Sequence, residues 1–317
     1  MGLEGPFFTL KYKFKKFKIF FIIENIYANY KNERRIFMSI NWFPGHMAKT
    51  RRQIKESLKL VDAVIEIRDA RIVKSSANPE IDEICKDKER IILLNKSDLS
   101  EDKITKEWTK TLSNDHTKVI TVNCLTGAGL KNIKPALDEI LKEKHDRLKS
   151  KGLVNIVTRV MVVGIPNVGK STFINKLAKN NIAKTGDKPG VTKSKQWIKT
   201  KIGIELMDTP GVLWPKFEDE EVGLNLAFTG AIKDEIMDIE DLALKLIERL
   251  QEYYPERLKE RYKLNELSES ALENMENIGR KRGAVISGGN IDYNRVAVML
   301  LDEFRGGKLG PISLERP

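Results

Sequence analysis

The 317-residue chain is long enough for two domains, and its 41% hydrophobic and 32% charged residues describe a soluble globular protein with a sizeable core. Its net charge of +11 suits phosphate-rich partners, nucleic acid ahead of membrane, although a merely solvated basic surface has the same composition. Two cysteines and three scattered histidines exclude a disulfide framework, a zinc spacing and a histidine metal cluster, and no run of 18 apolar residues offers a membrane-spanning helix. A reducing, cytoplasmic setting is the expectation.

Residues 1–37 stand apart. They hold eight Lys/Arg against three Asp/Glu, ten of the 23 aromatics and no serine, as in FFTLKYKFKKFKIFFII. The segment is too rich in Lys and Phe for a typical transit peptide, and Glu24 breaks its apolar stretch. A start at Met38, with 1–37 an artefact of start-site choice, is the expected reading. An arm that touches RNA or a membrane surface is the alternative.

From Met38 the composition is ordinary. A polar helix is expected at about 47–59, followed by a buried strand, VDAVIEI (Val61–Ile67), that ends in RDAR. RIILLNKSD (Arg90–Asp98) is a second strand with NKSD at its C-terminal end, and KVITVN (Lys118–Asn123) a third. A turn and an amphipathic helix follow in LTGAGLKNIKPALDEILKE, and KEKHDRLKSKG reads as a linker or a helix end. The pattern resumes with a strand, TRVMVVG (Thr158–Gly164), a helix in GKSTFINKLAK and a Gly/Pro-rich loop, KTGDKPGVTKS. QWIKT and IELMDTPG form a strand pair joined by a turn at Lys201–Gly203. Strands alternating with helices predict an α/β fold, a doubly wound and mostly parallel sheet over 38–233, with ligands at the strand C-termini. From about 234, DLALKLIERLQ, PERLKERYKL, SALENMENIGRKRG and NRVAVMLLDEF are helical throughout, so 234–317 is expected to be a small all-α domain.

GIPNVGKS (Gly164–Ser171) fits G-x-x-x-x-G-K-[ST] between a strand and a helix, the context that gives this pattern its meaning. Glycines let backbone N–H groups face phosphates, and the helix N-terminus adds partial positive charge. Asn167, Val168, Gly169, Lys170, Ser171 and Thr172 are therefore candidate phosphate contacts, with Lys170 reaching the β- and γ-phosphates and Ser171 ligating Mg²⁺. DTPG (Asp208–Gly211) supplies a carboxylate for the Mg²⁺ surroundings and a glycine N–H for the γ-phosphate, and Thr192 in PGVT is placed to close over the metal.

NKSD selects the base. Asp98 can accept from both N1–H and N2–H of guanine, a donor pair that adenine lacks. Asn95 supports the base and its loop, the stem of Lys96 packs along the base, and Asn123–Cys124 begin the second base loop. In the usual order of a GTPase the phosphate loop precedes the base motif; here it follows by some 65 residues. Joining old termini and cutting elsewhere preserves every contact, so one GTP site on a circularly permuted P-loop chain is expected.

Over essentially all of 38–317 the chain resembles the circularly permuted bacterial ribosome biogenesis GTPase A family. The resemblance rests on INWFPGHMAKT, DARIVKSSANPEI, NKSD, GIPNVGKST, KPGVTK, DTPGVLWPK and FRGGKLGPISLE. Two departures are Val73, where a Pro is commoner, and Asn123–Cys124 in place of a Ser-Ala pair. The resemblance implies GTP hydrolysis coupled to late maturation of the large ribosomal subunit, a helical domain on ribosomal RNA, and a free protein that is monomeric with no stable membrane association.

Val212 stands where many GTPases place a water-orienting Gln, so turnover is expected to be slow alone and stimulated by the ribosomal particle. A lone histidine near an N-terminus is ordinarily a packing or surface residue, but the resemblance makes His46 of FPGHM the candidate that activates water. Lys170 and Thr192 complete the expected catalytic set. Asn167 is, by the same resemblance, the residue that helps hold K⁺ beside the phosphates. Arg280, Lys281, Arg282, Arg295, Arg305 and Lys308 could form one basic face for RNA, or be solvated helix ends. A GTP-gated RNA-binding scaffold in which hydrolysis is incidental is the alternative function, and a membrane-associated signalling GTPase rests on residues 1–37 alone.

Overall fold

A computed structural model describes residues 44–178, 197–209, 211, 213 and 219–317, and over 44–50 the backbone alone. The basic segment 1–37, Thr192, Val212 and the side chain of His46 lie outside the described residues.

The chain runs α1 (Pro44–Leu58), β1 (Ala63–Asp69), α2 (Pro79–Cys85), β2 (Glu89–Asn95), α3 (Asp102–Leu112), β3 (Thr117–Thr121), α4 (Ile133–Ile140) and α5 (Lys142–Ser150). It continues through β4 (Thr158–Val163), α6 (Lys170–Leu177), β5 (Trp197–Lys199), β6 (Ile204–Asp208), α7 (Glu220–Phe228), α8 (Ile239–Tyr253), α9 (Pro255–Tyr262), α10 (Ala271–Arg282) and α11 (Tyr293–Arg305). The strands form one sheet in the order β3-β2-β1-β4-β6-β5, parallel except for the β5–β6 pair. The fold is thus the α/β class expected, a mostly parallel sheet with helices on both faces.

Central parallel strands are covered on both faces, so they read as continuous apolar runs rather than alternating ones. All seven residues of β1 are buried, charged ones included. Glu66 and Arg68 face the same side and form a two-pronged ion pair, with Arg68 Nε and Nη2 donating at 2.8 and 2.9 Å. One face of the sheet is covered by Ile54 and Leu58 of α1 and by Ile81 and Cys85 of α2, packed on Val64, Met161 and Val163. Ile104 and Trp108 of α3 cover Ile92 and Leu94.

Every element after β6 is helical among the described residues, beginning with α7, earlier than position 234. Leu242, Ala243, Leu246, Ile247 and Leu250 recur at helical spacing and bury one face of α8, the central helix of this part. Side-chain caps set the starts: Asp238 accepts from Glu240 N and Asp241 N, Ser270 from Glu273 N, and Asp292 from Arg295 N.

Residues 43–317 form a single compact unit. The C-terminal tail joins the helices to the sheet: Ile312 N donates to Leu99 O and Leu314 N to Arg71 O, both at 2.9 Å. The Glu315 carboxylate accepts from Lys74 N, Ser75 N, Ser75 Oγ and Asn225 Nδ2. The tail therefore grips the loops that follow β1 and β2, where a parallel sheet places its ligands.

Candidate nucleotide site

The phosphate loop follows β4, at the centre of the sheet. Gly164 has φ 148°, and a Cβ there would sit 2.6 Å from Ile67 O, so the turn off the strand requires glycine. Asn167 and Gly169 take left-handed conformations, φ 60° and 102°, and Gly169 immediately precedes α6. Gly211, at the end of DTPG, approaches from the other side: a Cβ there would lie 2.6 Å from Lys170 Nζ and 3.2 Å from Pro166 N. Thr209 Oγ1 donates to Val162 O at 2.6 Å and fixes that segment to β4.

Asn95 ties the separated motifs together. Its Nδ2 donates to Val168 O of the phosphate loop at 2.7 Å, and its Oδ1 accepts from Cys124 N of the second base loop at 2.9 Å. A carboxamide is the side chain that offers a donor and an acceptor at this spacing, and the residue is buried. Asn123 Oδ1 accepts from Leu125 N and Thr126 N at 2.9 and 3.0 Å, shaping the second base loop as an Asx turn. Cys124 is buried and free, and burial pushes its thiol up to about 12, so it contributes packing and a backbone N–H rather than a thiolate. Asp98 is exposed in the single 3₁₀ turn Ser97–Leu99, with its carboxylate reachable by a base.

Lys170 is buried, and its Nζ donates to Ile165 O at 2.7 Å, inside the loop. Burial lowers its pKa to about 8, with Asp208 opposing the shift. Burial also raises the Asp208 carboxyl, against the pull of Lys170 and of the Thr209 N–H. Each charge is thus short of compensation in the protein alone, and a polyphosphate with its divalent cation is the chemistry that restores both. Ser171 and Asp208 are half-buried, and their hydroxyl and carboxylate oxygens are of the donor type that Mg²⁺ takes. Val168 is buried, and Thr172 is half-buried in the first turn of α6.

Asn167 donates from Nδ2 to Gly230 O, at the turn after α7, at 2.6 Å. Sequence reasoning missed this partner, which lies 63 residues away. It also missed Asp69, whose buried carboxylate meets Lys96 Nζ at 3.0 Å. The signal was the RDAR that follows a buried strand at the ligand end of a parallel sheet.

The basic face sketched from the sequence is altered. Arg305 is committed inward, with both Nη atoms on the Asp234 carboxylate at 2.7 Å and with bonds to the carbonyls of Phe228 and Ala227. It closes the end of α7 rather than facing a partner. Arg282 lies over Tyr262 and donates to Arg261 O, Arg280 pairs with Glu276, and Arg295 reaches Gly283 O. Lys281 and Lys308 are exposed.

A central-strand phosphate loop, latched to a guanine-type base motif by Asn95, defines a P-loop guanine-nucleotide-binding protein of the GTPase class. Residues 159–280 match the family model described as 50S ribosome-binding GTPase. The chain is 52% identical over 280 residues to ribosome biogenesis GTPase A of Bacillus cereus, spanning 88% of this chain and 95% of that protein. It is 35% identical over 278 residues to the protein of that name from Thermotoga maritima, spanning 88% and 95%. The solved structure of GNP-bound YlqF from T. maritima superimposes with a TM-score of 0.59 at 30% identity, over 85% of this chain and 98% of that one. The chain belongs to the ribosome biogenesis GTPase A family, and GTP hydrolysis with Mg²⁺ goes with that membership.

The loop geometry has a direct test. A Cβ at Gly169 would overlap the Asn95 amide, and φ 102° is strained for any L side chain. Gly169→Ala is expected to destabilise the protein by about 1–3 kcal/mol and to weaken GDP binding, read by thermal melting without nucleotide and by titration.

Proposed function

We propose that the chain is a GTP hydrolase that binds a late precursor of the large ribosomal subunit and couples hydrolysis to maturation of that particle and to its own release. The observation that carries the GTP site is the pair of bonds made by Asn95, which unites motifs 73 residues apart at one end of the sheet. The ribosomal part is supported by the names of the relatives. The sheet order supports a circular permutation: β4, which carries the phosphate loop, is fourth in the chain yet lies between β1 and β6. We read 38–233 as the GTPase part and 234–317 as the part that meets ribosomal RNA, with Lys281 and Lys308 among its exposed cations. The free protein is read as a cytoplasmic monomer without stable membrane association; among the described residues no helix is long and apolar enough to cross a membrane.

In this reading Lys170 leaves Ile165 O for the β- and γ-phosphate oxygens, whose negative charge favours its ammonium form. Backbone N–H groups of 167–172 and of Gly211 surround the phosphates, and Asp98, Asn95, Lys96 and the Asn123–Cys124 loop fix the base. Ser171, Asp208 and Thr192 would hold Mg²⁺, which would neutralise charge that develops on the phosphate oxygens. Asn167, oriented through Gly230, turns its oxygen to K⁺. His46 orients the attacking water or accepts its proton, the task that Val212 cannot perform.

Steady-state GTP turnover, with and without large-subunit particles and in K⁺ or Na⁺, tests the proposal. Turnover is expected to rise on addition of the particle and to be several-fold faster in K⁺. Particle binding that requires GTP without any rise in turnover would favour the scaffold reading, which the aliphatic Val212 keeps in contention.

A further inference from the structure

Asp69 ends β1 directly opposite Asn95 in the parallel register, and Ala70 N donates to Asn95 O at 2.9 Å. Its carboxylate is buried between two cations. Oδ1 accepts from Arg71 N and Nε at 3.1 and 3.0 Å, and Oδ2 takes Arg71 Nη2 at 2.8 Å and Lys96 Nζ at 3.0 Å. Burial alone would raise its pKa, but Arg71 and then Lys96 hold it well below the usual carboxylate range. Arg71 is itself immobilised: it is buried, stacks over the Phe304 ring at 5.2 Å from its centroid, and its carbonyl accepts Leu314 N. Lys96, by contrast, is partly exposed and takes φ 59° and ψ 37°, a left-handed conformation that a lysine adopts only when its surroundings impose it.

We propose that Asp69 is a positioning residue for guanine-nucleotide binding: anchored by Arg71, it fixes the ammonium of Lys96 and so lays the lysine stem along the base plane. The proposal rests on the reading of Asn95–Asp98 as the base-binding loop. Three things follow from the geometry. The Asp69–Arg71 pair stays in place whether or not Lys96 is charged, so the part of Asp69 that serves binding is the part that Lys96 receives. In the base-loop reading the stem lies on the base face and not on its edge, so its loss is expected to weaken guanine, hypoxanthine and xanthine nucleotides by one common factor. The pair also pre-orders a strained loop before the nucleotide arrives, which saves ordering cost at binding.

A double-mutant cycle on the full chain, read as the dissociation constants of GDP and IDP, tests this. Asp69→Asn and Lys96→Met, which keeps stem length but removes the charge, are each expected to weaken both nucleotides on the order of tenfold, and the double variant no more than the stronger single one. Lys96→Arg, which retains a cation for Asp69, should restore most of the affinity. Additive losses, or Lys96→Met binding GDP like the parent, would overturn the proposal; the second result does so even if Asp69→Asn does not fold. Asp98→Asn is run in parallel. If it shifts base preference while the cycle is additive, the positioning role alone fails; if it leaves base preference untouched, the base-loop reading itself fails.

Discussion

Asp98→Asn is expected to lower GTP affinity by roughly 10²–10⁴-fold and to create a preference for xanthosine triphosphate. The carboxylate accepts two charge-assisted hydrogen bonds from N1–H and N2–H of guanine, each worth about 1.5–3 kcal/mol. An amide has one acceptor and one donor; its NH₂ would face the guanine N2–H₂, a donor against donors. Xanthine carries a carbonyl at that position, so the amide donates to it and still accepts from N1–H. The substitution is well isolated from folding. Asp98 is exposed, and its 3₁₀ turn is held by Leu99 N to Lys96 O at 2.9 Å and by Ile312 N to Leu99 O, which the side chain does not touch. The measurement is competition between GTP and XTP, with melting as the control for fold. GTP affinity equal to that of the parent would remove the base assignment.

The parts of the fold that were legible in the sequence share one property: their burial pattern is local. Ile91–Leu94 and Val160–Val163 are buried residue after residue, as central parallel strands must be, and such runs stand out in any window. Helix α3 is hard to see in the sequence because it is mostly polar and buries just Ile104, Thr105 and Trp108. Helix α5, read as a linker or a helix end, buries no residue at all and has no apolar stripe to see. Helix α7 has the opposite difficulty. Gly223 and Asn225 through Phe228 are all buried, so the segment lacks a polar face and its helix is not announced by periodicity.

The site divides in the same way. Gly164, Gly169, Lys170, Asn95 and Asp98 carry their chemistry in short fixed spacings, and these spacings remain legible wherever the chain is cut. Asp69 acts through Lys96 only because β1 and β2 pair with Asp69 opposite Asn95, a register that no single strand announces. Arg305 was misread for a related reason. A cation at a helix end looks solvated until Asp234, 71 positions earlier, is brought against it. Residue type and spacing report what a side chain can do, whereas the pairing of distant elements decides which of those capacities is used.

For His46→Ala, binding and catalysis are expected to separate. His46 is the third residue of α1, outside the phosphate and base loops, so affinity for GTP and for the particle should stay near the parental values. The far end of α1 is fixed: Ile54 and Leu58 pack with Met161 and Val163, on the strand that runs into the phosphate loop. The helix therefore carries its N-terminal turn on a rigid base that is shared with the catalytic loop. A group that acts only in the transition state lowers kcat without altering ground-state binding. Loss of a water-orienting or general-base side chain costs on the order of 10²–10⁴-fold. That loss is expected in single-turnover GTP hydrolysis on the large-subunit particle, while hydrolysis by the free protein changes little. If His46→Ala hydrolyses GTP on the particle at the parental rate, His46 is a structural residue and the group that activates water belongs to the particle.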